Sequence, residues 1–154
     1  SISNKYYIIR CSLLFGETPR NNQLIEKMLH KIKASEEIRM ADDIVCSPSY
    51  SLDIAKEIKR ILNSSLSYGI YHVVNGGKAT LYEIMVEAAK ILNICPGIKK
   101  ASYLDFGHLA LKNTDTLLTS EKINTLRPWQ EALKEYVGNF KKEMQVIEKE
   151  NVNK

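Results

Sequence analysis

Long apolar runs, paired cysteines and clustered basic residues are all missing from this sequence of 154 residues. No apolar run reaches the ~18 to 20 residues that a membrane span needs, and no signal peptide opens the chain, so we expect no membrane partner. The three cysteines are too widely spaced to suggest zinc, and they indicate a reducing, cytoplasmic compartment. Basic residues exceed acidic ones only by 22 to 18 and are interleaved with them, which argues against a nucleic-acid partner.

Glycine is also scarce. The sequence has seven glycines, and none of them forms the GxGxxG or GxxGxxG pattern that holds a dinucleotide phosphate after a strand. Gly76 and Gly77 do lie between a β-type run and a helical pattern, but a plain turn is more common there than a phosphate site. The sequence therefore predicts no cofactor loop of its own.

The residues that are present predict alternating strands and helices. Continuous β-prone runs at 6–16 and 69–75 are typical of strands buried in a parallel sheet, and 38–40 is a shorter strand candidate. Helical spacing of apolar residues separates and follows these runs. The alternation predicts an α/β fold with parallel strand pairing.

Local signals mark the helix ends. Ser51 is a candidate N-cap for the second helix. Thr80 followed by Glu83 predicts a capping box at the third helix, and Pro128 favours the first turn of the fourth. The apolar spacing of the second helix predicts a buried stripe made of Leu52, Ala55, Ile58, Ile61 and Leu62.

Four motifs, in order, resemble the dTDP-4-dehydrorhamnose reductase family. Residues 8–16 resemble its late Rossmann strand and following loop, and residues 43–55 its D-Q-x-G-x-P-T loop and following helix. Residues 69–77, followed by Leu81-Tyr82-Glu83, are similar to its G-x-Y-H-x-x-N-x-G strand and W-Y-E-F helix start. Residues 129–133 resemble its closing D-W-x-x-A-L helix.

The resemblance implies a two-part enzyme of the extended short-chain dehydrogenase class. Its N-terminal Rossmann half binds NADPH or NADH, and its C-terminal half binds a nucleotide sugar of the dTDP-4-dehydro-6-deoxyhexose class, whose ketone receives the hydride. A Tyr-x-x-x-Lys pair supplies the proton. None of the eight tyrosines here has a lysine four residues later. We therefore expect a substrate-side half that lacks its Rossmann partner, holds no cofactor and is inactive alone.

Within this half, the resemblance divides the chain into a last Rossmann strand at 6–16, a substrate subdomain over about 17–140 and a charged helical tail at 141–154. It places Arg10 and Ser12 near the nicotinamide through their backbone. It also implies a set of substrate-binding positions, namely Leu13, Asn22, Gln23, Asp43, Pro48 and Ser49.

Several positions depart from the family pattern. Leu13 replaces a tryptophan, Ile44 a glutamine and Cys46 a glycine, while Lys112-Asn113 stands where Arg-Pro is usual. These departures lie in the substrate loops, so they affect the choice of sugar more than the fold. A second hypothesis is therefore a non-catalytic binding or regulatory module of the same fold, like the family relative that regulates methionine adenosyltransferase.

Three further expectations concern single features. Adjacent loop carboxylates are more often solvated than metal-binding, so Asp43 is expected to order its loop by accepting hydrogen bonds. His72 is expected to be a packed strand residue rather than a catalytic one. A strand at 8–15 with an open edge would pair with a second copy, so we predict self-association.

Overall fold

The computed structural model describes residues 5–17, 23–107 and 113–152. This part of the chain contains four α-helices, eleven short strands and one 3₁₀ turn at Tyr103–Phe106. The helices are α1 (Leu24–Lys33), α2 (Ser51–Leu62), α3 (Leu81–Leu92) and α4 (Trp129–Val152). The strands are β1 (Tyr7–Arg10), β2 (Leu14–Phe15), β3 (Ile38–Ala41), β4 (Val45–Cys46), β5 (Ser49–Tyr50), β6 (Gly69–His72), β7 (Asn75–Gly76), β8 (Ala79–Thr80), β9 (Ile98–Ala101), β10 (Asp115–Thr116) and β11 (Leu126–Pro128).

Parallel pairing dominates the described strands. The pairs β1–β6, β2–β5, β3–β9, β4–β10 and β7–β11 are all parallel, and β4–β8 is antiparallel. The predicted α/β class with parallel pairing is confirmed. The pairs form small separate ladders, because two-residue strands change partner at each bend of the chain.

The run at 6–16 differs from the expectation of one strand buried on both faces. It is broken after Arg10, and its two parts, β1 and β2, pair with different strands. Burial alternates along β1, with Ile8 44% exposed beside Ile70, which is 39% exposed. In the described part of the chain, α2 covers the opposite face. An unbroken apolar run cannot distinguish one-sided from two-sided burial, which is why the sequence prediction failed here.

Two apolar cores hold the described chain together. The larger one packs α1, α3 and α4 around β3 and β5, with Leu29, Ile84 and Leu133 fully buried. The smaller one packs α2 against β1 and β6 through Ile54, Ile61, Tyr71 and Val73. No helix in the described ranges is long and apolar enough to cross a membrane.

Helix α2 buries a different face from the one predicted. Its buried residues are Asp53, Ile54, Glu57 and Ile61, whereas Leu52 is 40% and Leu62 61% exposed. The predicted stripe is therefore wrong for these two leucines and for Ala55, which is exposed. The reason is that the helix turns two carboxylates inward, where each has a cationic partner. Ser51 begins the helix without capping it, since Tyr50 occupies the N-cap position.

The start of α3 has the predicted capping box. The Thr80 hydroxyl accepts a hydrogen bond from the Glu83 amide at 3.1 Å, and the Glu83 carboxylate accepts one from the Thr80 amide at 2.8 Å. The same helix ends at Asn93, which adopts the left-handed conformation with φ of 58°. Both ends of α3 are therefore fixed by local hydrogen bonds.

Candidate functional site

A cavity of about 500 Å³ lies where the link between β1 and β2 approaches β4, β10 and the start of two helices. This volume is within the range of small-molecule sites. We call it the large cavity. It is lined by Cys11, Ser12, Leu13, Leu24, Ile44, Cys46, Leu81, Asn113 and Thr116.

A second cavity, of about 240 Å³, adjoins the first. Leu24, Ile44 and Leu81 line both, so the two form one groove along the start of α1 and α3. We call the second one the small cavity. Its remaining lining residues are Met28, Arg39, Met40, Ala41, Tyr103 and Phe106.

The positions that depart from the family pattern meet in this groove. Leu13, Ile44 and Cys46 come from two segments more than thirty residues apart, yet all three line the large cavity, and Asn113 joins them. Ser12 lines it as well. The segments that the resemblance marks as substrate loops therefore form one continuous surface, and the sequence departures change the chemistry of that surface.

The other predicted site residues lie around the groove. Arg10 is exposed at the end of β1, and Gln23 is exposed at the N-cap of α1 beside Leu24. Pro48 and Ser49 are buried behind the cavity wall, where the Ser49 amide donates to the Leu13 carbonyl at 2.7 Å. Asn22 lies outside the described residues.

The wall of the large cavity is tied together by hydroxyl groups. The Ser12 hydroxyl donates to the Thr116 carbonyl at 2.9 Å and accepts from the Ser47 amide at 3.2 Å. The Thr116 hydroxyl donates to the Val45 carbonyl at 3.2 Å. Three chain segments are joined in this way, so Ser12 is held in place by the protein itself.

Asp43 connects two distant segments instead of serving only its own loop. Its carboxylate accepts from the Ser102 hydroxyl at 2.6 Å and from the Tyr103 amide at 2.9 Å. The hydrogen bond from Ser102, followed by that from Tyr103, holds the pKa of the Asp43 carboxyl below its ordinary value. Arg39 and Asp105 form an ion pair at 2.7 Å on the same 3₁₀ turn. Asp43 and Arg39 thus hold the 3₁₀ turn in place. Tyr103 and Phe106 lie on this turn and line the small cavity.

The surroundings of the two cysteines in the large cavity do not activate a nucleophile. Cys46 donates to the Ala79 carbonyl at 3.4 Å, and burial raises the pKa of its thiol to about 12. Burial also raises the pKa of Cys11. A raised pKa disfavours the thiolate, which is the reactive form of cysteine. Among the described residues, no group of three or more histidine, cysteine or acidic side chains could hold a metal ion.

A buried polar network behind the groove was not predicted from the sequence. The Asn75 side chain accepts from the Tyr50 amide at 2.8 Å and donates to Asp53 at 2.8 Å and to the Arg127 carbonyl at 3.1 Å. Arg127 also pairs with Asp53 at 2.7 Å and with Glu135 at 2.7 Å. This network positions β5, which pairs with β2 beside the cavity. Asn75 belongs to one of the four motifs, but Arg127 carried no sequence signal.

Gly76, the last residue of β7, and Gly77 form a close turn that packs against Trp129. Gly77 has φ of +96°, and a Cβ there would lie 3.0 Å from Cδ1 of Trp129. At the start of α3 the capping box engages the amides of Thr80 and Glu83 and places the Glu83 carboxylate beside the helix N-terminus. His72 lies apart from the groove, half-buried, with Nδ1 3.1 Å from the Thr119 carbonyl oxygen.

Comparison with known proteins agrees with this architecture. A family model described as the RmlD substrate binding domain matches residues 1–142. The chain belongs to this family.

Relatives of the RmlD substrate binding domain come from several bacteria. The chain is 29% identical over 134 residues to the spore coat polysaccharide biosynthesis protein SpsK of Bacillus subtilis, covering 84% of this chain and 46% of that protein. It is 29% identical over 150 residues to a dTDP-4-dehydrorhamnose reductase of Aggregatibacter actinomycetemcomitans, covering 87% of this chain and 50% of that protein. The chain thus spans about half the length of the curated relatives it matches.

A solved structure shares the same arrangement. The dTDP-4-dehydrorhamnose reductase of Bacillus anthracis in complex with NADP superposes with a TM-score of 0.79 at 28% identity, over 86% of this chain and 48% of that one. The RmlD substrate binding domain described here therefore has the fold of a known reductase over the portion it covers.

Proposed function

We propose that this chain is the nucleotide-sugar-binding part of an enzyme similar to dTDP-4-dehydrorhamnose reductase, which reduces a 4-keto nucleotide sugar with NADPH or NADH. The observation that carries the proposal is the groove. Leu13 and Ile44 belong to two different motifs of the family, and both line one cavity of suitable volume together with Ser12. Family membership and the similarity to reductases that act on dTDP-sugars support the same function.

The two cavities suit the two ends of such a ligand. The small cavity is lined mainly by apolar side chains and offers the Tyr103 and Phe106 rings, so it suits a thymine base. The large cavity suits the sugar ring, because its described lining carries no charge that would hold a pyrophosphate. In this arrangement Leu24, Ile44 and Leu81, which line both cavities, lie between the base end and the sugar end of the ligand.

We propose that this chain does not hold the cofactor by itself. Trp129 packs against the Gly77 turn, and the Glu83 carboxylate lies at the N-terminus of α3, where a phosphate would otherwise be favoured. The sequence also has no Tyr-x-x-x-Lys pair. We therefore propose that hydride and proton donors belong to a Rossmann half, near which Arg10 and Ser12 place their backbone, and that the isolated chain is inactive.

Titration calorimetry with dTDP and a dTDP-6-deoxyhexose tests the proposed binding. We expect saturable binding by the 154-residue chain, and we expect no oxidation of NADPH or NADH with a 4-keto sugar nucleotide. Leu13→Glu should abolish binding, because it adds a carboxylate to the apolar cavity. Leu14→Glu is the matched control, since Leu14 is 46% exposed and does not line the cavity.

Failure to bind either nucleotide would contradict this function and favour the non-catalytic regulatory module. Turnover by the isolated chain would contradict the proposed need for a Rossmann half. Loss of binding in both leucine variants would show that the charge disturbs the fold instead of the cavity.

We also propose that the isolated chain self-associates through the open face of the β1–β6 ladder. Ile8 and Ile70 lie side by side in register on this face and are 44% and 39% exposed, with Tyr6 and Tyr68 about half exposed at its end. Exposed apolar strands of this kind favour association. Sedimentation velocity over a concentration series should show a dimer that Ile8→Lys disrupts and that Leu104→Lys, on the 3₁₀ turn, leaves intact. A monomeric wild-type chain would contradict the proposal.

A further inference from the structure

The wall of the large cavity depends on the short segment that carries β5. In this segment, residues 47–50, the Ser47 amide donates to the Ser12 hydroxyl at 3.2 Å, and the Ser49 amide donates to the Leu13 carbonyl at 2.7 Å. Ser12 and Leu13 both line the cavity. Two residues of the cavity wall are therefore bonded to backbone amides of one segment, and their positions follow the position of that segment.

The ladder that contains β5 is short. Strand β5 pairs with β2 through two residue pairs, Leu14 with Ser49 and Phe15 with Tyr50. Within the described ranges these two strands form a sheet of their own. Two residue pairs provide few hydrogen bonds between strands, so contacts from outside the ladder must help to hold β5 in place.

Asn75 provides such a contact from β7. Its side-chain carbonyl accepts from the Tyr50 amide at 2.8 Å, and its amide group donates to the Asp53 carboxylate at 2.8 Å and to the Arg127 carbonyl at 3.1 Å. The backbone of Asn75 is itself held, because β7 pairs with β11. One side chain, in a residue that is 1% exposed, therefore joins β5, α2 and β11.

The three partners of Asn75 define its orientation. The carbonyl oxygen faces one donor and the amide nitrogen faces two acceptors, so both amide hydrogens are used. A buried polar network that is satisfied in this way specifies one arrangement of the chain. Apolar side chains could fill the same space, but they would not hold the Tyr50 amide at one position.

We propose that Asn75 is a positioning residue for the ligand of the large cavity, although it does not line that cavity. It holds the Tyr50 amide, and through residues 47–50 it sets the positions of Ser12 and Leu13. This inference rests on the proposed function of the groove. None of residues 47–50 lines the small cavity, so the sugar end of the ligand should depend on Asn75 and the base end should not.

The experiment compares Asn75→Ala with a variant of equal stability whose change lies away from the groove. Ile61 is buried in the smaller core near the end of α2. Ile61→Val or Ile61→Ala, whichever matches the urea midpoint of Asn75→Ala, is therefore the control. Titration calorimetry measures the affinity of each chain for dTDP and for a dTDP-6-deoxyhexose. Hydrogen exchange of the Ser49 amide, measured without ligand, reports on the segment itself.

We expect Asn75→Ala to bind the dTDP-sugar roughly 10-fold more weakly than the control does, since displacement of Leu13 removes apolar contact with the sugar. The affinity for dTDP should be nearly the same in the two variants. The Ser49 amide should exchange roughly 5- to 10-fold faster in Asn75→Ala, because a hydrogen bond that holds β5 is missing. If Asn75→Ala does not fold, Asn75→Ser takes its place, since one hydroxyl hydrogen cannot serve both acceptors.

The outcomes separate this inference from the function beneath it. Equal sugar affinity in Asn75→Ala and its control would overturn the inference and leave the proposed function standing. Equal exchange at Ser49 would overturn it as well, because the segment would then be held without Asn75. An equal loss of affinity for dTDP and for the dTDP-sugar would contradict a role confined to the large cavity. Absence of dTDP binding by the wild-type chain would overturn the proposed function, and the role of Asn75 in binding would fall with it.

Discussion

Helices α2 and α3 are both twelve residues long and each follows a two-residue strand, yet they bury different kinds of side chain. Helix α3 buries apolar residues only, among them Ile84, Met85 and Ala88. Helix α2 buries Asp53 and Glu57 beside two isoleucines. The stripe predicted for α2 from apolar spacing therefore missed its two buried carboxylates, a kind of residue that α3 does not bury.

The difference arises from what each helix packs against. Helix α3 lies between α1 and α4, which offer it apolar side chains. Helix α2 begins beside β7 and β11, which offer Asn75 and Arg127 as partners for its first carboxylate. Burying a charge is costly unless it is paired and hydrogen-bonded, so Asp53 can face inward only because of residues that lie far along the chain.

Among the substitutions that test this comparison, removal of the buried carboxylate of α2 should lower the free energy of unfolding most. Asp53→Ala removes one of the two acidic partners of Arg127 and one hydrogen bond of Asn75, and we expect the free energy of unfolding to fall by about 2 to 3 kcal/mol. Urea denaturation measures this loss. Glu87→Ala on α3 is the control, because Glu87 pairs with Lys90 at 3.2 Å on the surface and should contribute less than about 1 kcal/mol. Similar losses in both variants would mean that the Asp53 network has no special role.

The N-termini of the two helices also differ, because α3 has a side-chain cap and α2 has none. The expected effect on stability is smaller than that of Asp53. Thr80→Ala removes one half of the capping box at α3 and should lower the free energy of unfolding by about 1 kcal/mol. Ser51→Ala at the start of α2 should change it by less than about 0.5 kcal/mol, because Ser51 caps nothing there. Thermal or urea unfolding measures the loss of stability in each variant. A larger loss for Ser51→Ala than for Thr80→Ala would contradict the assigned caps.

The contrast shows how much the sequence could predict. Local chemistry was sufficient for the capping box at Thr80, the strand at Ile38–Ala41 and the α/β class, since each depends on neighbouring residues or on a repeating pattern. The family resemblance marked Leu13, Ile44 and Cys46, which meet in the groove. What could not be predicted depends on pairing between distant segments, because no local pattern records which arginine will face Asp53 or which amide will reach Asp43.

The smallest expected effect is the pH dependence of the hydrogen bonds to Asp43. These bonds stabilise the wall of the groove and not a helix. The folded pKa of Asp43 lies below the value of about 4 that an unfolded aspartate has. The stabilisation from its hydrogen bonds to Ser102 and Tyr103 is therefore complete above that value and is lost as the pH falls through the lowered folded pKa. The Tyr103 amide should shift in an NMR titration over this acidic window.

Asp43→Asn provides the comparison for that titration, because the amide keeps an acceptor for one hydrogen bond but does not ionise. We expect its Tyr103 resonance to stay constant through the same window, and we expect amide exchange at 103–106 to be faster than in the wild-type chain at neutral pH. Asp115 provides the control, since this exposed residue of β10 accepts from the Leu117 amide at 3.2 Å and lies twelve residues from Tyr103 in the sequence. Asp115→Asn should leave the Tyr103 shift unchanged. If it removed the shift as fully as Asp43→Asn does, the shift would not report ionisation of Asp43, and Asp43 would lose its assigned role in the wall of the small cavity.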